Sequence, residues 1–167
     1  YFDNVPLGAE ALIGVEGNGL KQVFAGLNPE RVCAAAINNG ISRYAIEQAS
    51  RYANERSVWK TPIGAHQGVA HPLAAAYIGV QQARLLTARA AQLSDEGAAE
   101  SGEAANMAKF AAADSSLIAL DQAIQVHGGN GMALEYGLAD LWFIARMHKT
   151  APVSREMILN FIAEKVL

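Results

Sequence analysis

The chain has 167 residues, enough for one domain with a sizeable core. Hydrophobic residues make up 51% and charged residues 17%, with recurrent alanine runs, which excludes a disordered or heavily solvated chain and suits packed helices. A formal net charge of −3 gives no general attraction to nucleic acid or anionic membrane.

The lone cysteine, Cys33, excludes an internal disulfide and is compatible with a reducing compartment. No signal-peptide pattern and no apolar run long enough to cross a bilayer is visible, because Gln, Arg, Asn or His breaks the longest stretches. The chain opens at Tyr1 without an initiator methionine, which reads as a fragment or a processed product.

In chain order, residues 1–19 are punctuated by Pro6, Gly8, Gly14, Gly17 and Gly19 and read as a strand end or loop. Asn28-Pro29-Glu30 then has the form of a helix start: an Asn cap, Pro at the first helical position and an acid in the first turn. Val32, Ala35, Ala36, Ile41, Tyr44, Ala45 and Ala49 follow close to a 3.6-residue period. They predict a first helix over 29–56, about 40 Å long at ~1.5 Å per residue.

Pro62 and Gly64 mark a connector. A second helix is predicted over 65–93, with Pro72 imposing a kink or an early irregular turn. The acidic, Gly-containing stretch SDEGAAESGE is a loop. Ser101 can cap a third helix over 102–127, and Gly128-Gly129 is its stop signal. A fourth helix is expected over 138–149, with Pro152 punctuating its end, and a fifth over 153–166. No internal repeat appears, and no strand of useful length after residue 20. The class is an all-α, up-and-down bundle of four to five helices, preceded by a short strand/loop tail.

Taken singly, the polar residues say little. His66, His71, His127 and His148 lack the spacing and carboxylate company of a zinc site. Gly128-Gly129-Asn130-Gly131 follows a helix, so it is not a dinucleotide fingerprint, which needs a preceding strand. Adjacent glycines do, however, let backbone amides approach an anion. Glu30 and Arg56 are charges that suit the two ends of a helix dipole, and Trp59 suits a core or an interface.

Four segments together resemble the acyl-CoA dehydrogenase family, in the family's order. YFDNVPLGAEALIGVEGNGL looks like the end of its middle β-domain, and LNPERVCAAA like the start of its first C-terminal helix. SRYANERSVWKTPIGAHQ is similar to the family's "YaxxRxxFGxPIxxxQ", and DQAIQVHGGNGMALEYGLAD to its "QxxGGxGy…eyp". The resemblance covers nearly the whole chain. It implies residues 1–24 as the end of the middle domain with a linker, and 25–167 as the C-terminal helical bundle.

The resemblance further implies FAD as cofactor, an acyl-CoA substrate, a homodimer or homotetramer with bundles packed at its centre, and an electron-transfer flavoprotein as electron acceptor. The bacterial cytoplasm or the mitochondrial matrix would both fit. By matched position, Arg56 corresponds to the arginine on the flavin's pyrophosphate, usually across a dimer, with a guanidinium fork suited to phosphate oxygens. Trp59 stands where the family has Phe beside the flavin, His66 and Gln67 match a pair near the cofactor, and Gln125, Gly128 and Gly129 match residues at the adenosine end. Ser154 is the one hydroxyl left of a flavin-contacting "GTS" segment that reads Val153-Ser154-Arg155 here.

The family's reaction has a carboxylate remove the pro-R α-proton while the β-hydride passes to flavin N5. Many members carry that base late, in a "YEGT" segment, and the matching position here is Pro152, which cannot act as a base. Isovaleryl- and long-chain-type members carry it on the first bundle helix directly before an Arg, and that position is Glu30, before Arg31. The resemblance therefore implies Glu30 as base and Arg31 as an anchor near the substrate, with Glu135 structural. The usual Phe-Gly after the arginine reads Trp59-Lys60. An acyl-CoA oxidase or flavin monooxygenase on the same fold, or a non-catalytic bundle subunit, are the alternatives, and the isolated chain is expected to be inactive.

Overall fold

Alanine-rich helices with a single apolar stripe can bury that stripe only against one another, and the chain does so with five of them. The computed structural model describes every residue, 1–167. The helices are α1 (Gly19–Glu55), α2 (Gln67–Asp95), α3 (Ser101–His127), α4 (Leu138–His148) and α5 (Arg155–Lys165). Two two-residue strands, β1 (Ser57–Val58) and β2 (Thr61–Pro62), pair antiparallel with Ser57 opposite Pro62 and Val58 opposite Thr61. The all-α bundle expected from periodicity is what forms.

The central element is α3, whose buried residues cover a little over half of its circumference, roughly 200° at about 100° per residue. It packs along α1 and α2, and α4 and α5 lie against it. The main core joins Ile41, Ala45 and Ala49 of α1, Leu73, Ala76 and Val80 of α2, and Ala119, Leu120 and Ala123 of α3 with Leu138 and Ala145 of α4. Alanine at the crossings brings backbones close, while Leu120 and Leu138 fill the remaining space at about 1.5–3 kcal/mol each. No helix is long and apolar enough to cross a membrane.

Several local expectations are corrected. The first helix does not begin at 29: α1 runs unbroken from Gly19 through Pro29. Asn28 does not cap it, because its Oδ1 accepts from Arg31 Nη2 instead of from a backbone amide. Proline there removes a single ladder bond, which ten preceding helical residues outlast. Similarly, α2 runs unbroken through Pro72, so no irregular turn interrupts it there. Ser101 is the first residue of α3, not its cap, since Glu100 holds the cap position without a side-chain bond. The tail before α1 carries no strand, only a 3-10 turn at Ala9–Ala11.

The glycine stop behaves as read. Gly128 has φ 58 and ψ −134, a conformation open to glycine alone. The chain then turns back so tightly that a Cβ on Gly131 would lie 2.5 Å from the Ile124 carbonyl oxygen and 2.8 Å from its Cα. Both contacts are backbone and cannot swing aside. Gly131→Ala is expected to cost about 1–3 kcal/mol, seen as a lowered thermal midpoint of the complete protein. An unchanged midpoint would mean that the loop relaxes freely.

Candidate functional site

The polar residues collect at two places along α1, one at its C-terminal end and one round Arg31 in its N-terminal half. At its C-terminal end, Arg56 follows the last helical residue. Its amide donates to the Tyr52 carbonyl at 2.8 Å and its carbonyl accepts from Ile63 N at 2.8 Å. These bonds fix the backbone and leave the guanidinium exposed. A cavity of about 490 Å³ opens here, and Arg56, Gln125, Gly128, Gly129 and Asn130 line it together with Tyr52 and His127. Four residues singled out in the sequence, Arg56, Gln125, Gly128 and Gly129, thus share one wall.

A neighbouring hollow of about 350 Å³ adds Tyr136, and shares Tyr52, Arg56, His127 and Asn130 with the first. The sequence reading missed this aromatic group. His127 stacks on Tyr52 with centroids 4.3 Å apart, and Tyr136 stands edge-on to both. His127 Nδ1 lies 2.7 Å from the Ala123 carbonyl, and the Asn130 amide donates to the hydroxyls of Tyr52 (3.1 Å) and Tyr136 (3.3 Å). One signal was available: Tyr52 precedes Arg56 by four residues, one helical turn on the same face.

Trp59 lies near this end but outside the cavity. It is 88% exposed at the tip of the β1–β2 hairpin, where Trp59 and Lys60 both have positive φ, 50° and 68°. Such backbone in non-glycine residues costs about 1 kcal/mol or more each. His66 and Gln67 open α2 and are exposed, again outside the cavity.

The N-terminal half of α1 is different. A cleft of about 540 Å³ separates α1 from α3 and α5, lined by Phe24, Asn28 and Arg31 of α1, Asn106 of α3, and Val153, Met157, Phe161 and Glu164. Arg31 is 2% exposed. Its guanidinium donates to Leu27 O at 3.2 Å, to Asn106 Oδ1 and to Asn28 Oδ1, and to no carboxylate. Burial without a counter-charge pulls its pKa down.

Glu30 sits between Asn28 and Arg31 in sequence but leaves the helix about 100° round from Arg31. It is exposed, takes part in none of the three side-chain ion pairs, and does not line the cleft. Ser154 caps α5, accepting from Met157 N at 3.3 Å. Its neighbour Val153 lines the cleft with Arg31, far from Arg56: the 25 residues from Arg31 to Arg56 span roughly 37 Å of helix.

Comparison with known proteins gives the family. Residues 17–167 match the family model "Acyl-CoA dehydrogenase, C-terminal domain". The chain is 52% identical to acyl-CoA dehydrogenase fadE12 of Mycobacterium tuberculosis (strain CDC 1551 / Oshkosh), covering 100% of this chain and 43% of that protein. A glutaryl-coenzyme A dehydrogenase solved with glutaryl-CoA superposes with a TM-score of 0.92 at 32% identity, over 98% of this chain and 41% of that one. The FAD complex of PigA gives 0.86 at 26%, over 92% and 40%. The chain belongs to the acyl-CoA dehydrogenase family, of which it is the C-terminal helical domain, and it spans less than half the length of these relatives.

Proposed function

We propose that the complete protein dehydrogenates an acyl-CoA thioester between its α and β carbons, with FAD as cofactor. The supporting observation is the wall shared by Arg56, Gln125, Gly128 and Gly129. An exposed guanidinium, a carboxamide and two glycines without Cβ atoms form a donor set suited to a pyrophosphate and its nucleoside. The PigA relative holds FAD, and the glutaryl-coenzyme A dehydrogenase relative holds an acyl-CoA.

Bound flavin supplies the acceptor for the two electrons and the β-hydrogen. This chain's own residues do the rest. Glu30 takes the α-proton, Arg31 and Asn106 line the acyl-CoA cleft, and Arg56 with Gln125, Gly128 and Gly129 holds the cofactor's phosphate and adenosine end. With flavin bound, Trp59, His66 and Gln67 would border it, and Ser154, whose oxygen accepts from Met157 N, would offer it a hydroxyl proton. Glu30 needs desolvation to act as a tuned base, and the upstream domains supply it. The two places lie too far apart for one extended dinucleotide to touch both. Each cofactor is therefore held by two copies of the chain in a homodimer or homotetramer. An electron-transfer flavoprotein reoxidises the enzyme.

The test is anaerobic titration of the complete protein with a panel of acyl-CoAs, following visible flavin absorbance. Bleaching supports the reading, and the best substrate names the acyl class. A protein that purifies without flavin and does not take it up would favour a non-catalytic bundle subunit, to which the acid-free position 152 lends support. Rapid oxygen consumption by the reduced enzyme would favour an oxidase. The 167-residue chain alone is expected to bind FAD weakly, and tight stoichiometric binding in equilibrium dialysis would contradict the two-copy site.

A further inference from the structure

Lys109 is buried at 1% exposure in the middle of α3. Its Nζ donates to the Val153 carbonyl at 2.6 Å, and it is in none of the three ion pairs. Counting from Asn106, α3 presents Lys109, Phe110 and Asp114 at i+3, i+4 and i+8, which is one face. Asn106 holds Arg31. Asp114 pairs with Lys149 at 2.9 Å and with Arg155, on either side of the turn that contains Pro152 and Val153. The Arg155 guanidinium lies 4.2 Å from the Phe110 ring centroid. One helix face thus ties down both Arg31 and the 149–155 turn, and Lys109 holds the turn at its middle.

A buried ammonium is a poor device for stability, because an apolar side chain of the same volume avoids its desolvation. What it adds is a strong, directed donor. We propose that Lys109 is a positioning residue: by holding the Val153 carbonyl it fixes the backbone wall of the cleft at Arg31, the residue next to Glu30 on α1, and through that wall the placement of the bound acyl-CoA relative to the base. This rests on the reading of Glu30 as the base.

The surroundings make the hold sensitive to pH. Burial, and then the charge of Arg31, pull Lys109 down to about 8, against the opposing pull of Asp114 and Glu156. His148, from α4, is itself held below the usual histidine range by burial and by the Lys109 charge, so it stays neutral at neutral pH. Lys149 and Arg155 are already paired to Asp114. A lysine whose folded pKa is about 8 and whose unfolded value is 10.5 costs stability below pH 8, and the cost lifts as pH rises to 10.5. Folding stability and positioning therefore respond in opposite directions above pH 8: the fold gains, while the donor loses its charge and loosens its hold on Val153.

The experiment uses the complete flavoprotein, wild type beside Lys109→Met and Glu30→Gln. The readouts are flavin content, acyl-CoA affinity, the rate of flavin reduction at saturating acyl-CoA, and thermal midpoint, each across pH. Lys109→Met is expected to keep its flavin and bind acyl-CoA with near-normal affinity, yet reduce about tenfold or more slowly. The fall in wild-type rate near pH 8 should be absent from the variant. Wild-type thermal midpoint should gain on that of the variant between about pH 8 and 10.5. A Lys109→Met protein that reduces at the wild-type rate with the same pH limb overturns the inference while leaving Glu30 as base. Reduction persisting in Glu30→Gln overturns the underlying reading instead. If Lys109→Met does not fold, the wild-type profile decides: a rate flat from about pH 7 to 9 overturns the proposal.

Discussion

Glu30→Gln in the complete protein is expected to bind acyl-CoA and leave the flavin oxidised, with reduction slowed about 10³-fold. An amide of the same shape cannot accept the α-proton, so the loss falls on the chemical step and not on binding. The structure makes the variant a clean one. Glu30 is exposed and in no ion pair, so its charge supports nothing else in the bundle, and the folding stability should stay within about 0.5 kcal/mol of wild type. Stopped-flow reduction under anaerobic conditions reads the result directly. If the variant bleaches at the wild-type rate, the base lies elsewhere. The acid to test next is then Glu164, the one carboxylate lining the cleft; position 152 offers none.

The order of elements was legible in the sequence because it rests on local signals. Five periodic stretches, a Gly-Gly stop and a Pro/Gly connector each act within a few residues, and each corresponds to an element of the bundle. The start of α1 was not legible. Asn28-Pro29-Glu30 satisfies every local rule for a helix start, but the rule presumes a free Asn side chain. Arg31 takes that oxygen, and Arg31 is in turn held by Asn106, 75 residues away in sequence. A tertiary contact decided a local feature.

The site divided in the same way. The residues round Arg56 were found because their pattern is a family pattern, and they do share a cavity. The Tyr52–His127–Tyr136 group and the Lys109–Val153 bond join segments 75, 84 and 44 residues apart, which periodicity cannot see. The hint for Lys109 was a lone cation amid alanines, in AKFAAAD; an ammonium is seldom fully buried unless it has a partner.

Arg56→Gln is expected to lower the complete protein's affinity for FAD by about 10- to 100-fold, the equivalent of about 1.5–3 kcal/mol for hydrogen bonds to a charged group. The change should leave the fold intact. The guanidinium is exposed, and the bonds that set the local backbone, Arg56 N to Tyr52 O and Ile63 N to Arg56 O, are main-chain. Arg56→Lys keeps the charge but not the planar fork and should fall between the two. Flavin released into the filtrate on ultrafiltration measures this, and its concentration dependence carries a second consequence. Arg31 and Arg56 lie roughly 37 Å apart along α1, so on the proposed reading a cofactor held by Arg56 of one copy meets Glu30 of another. Flavin loss in Arg56→Gln should therefore steepen on dilution as the assembly separates, with sedimentation showing smaller species as the flavin leaves. A variant that keeps its flavin as wild type does, at every dilution, would mean that the phosphate is held elsewhere and that the cavity at Arg56 serves another ligand.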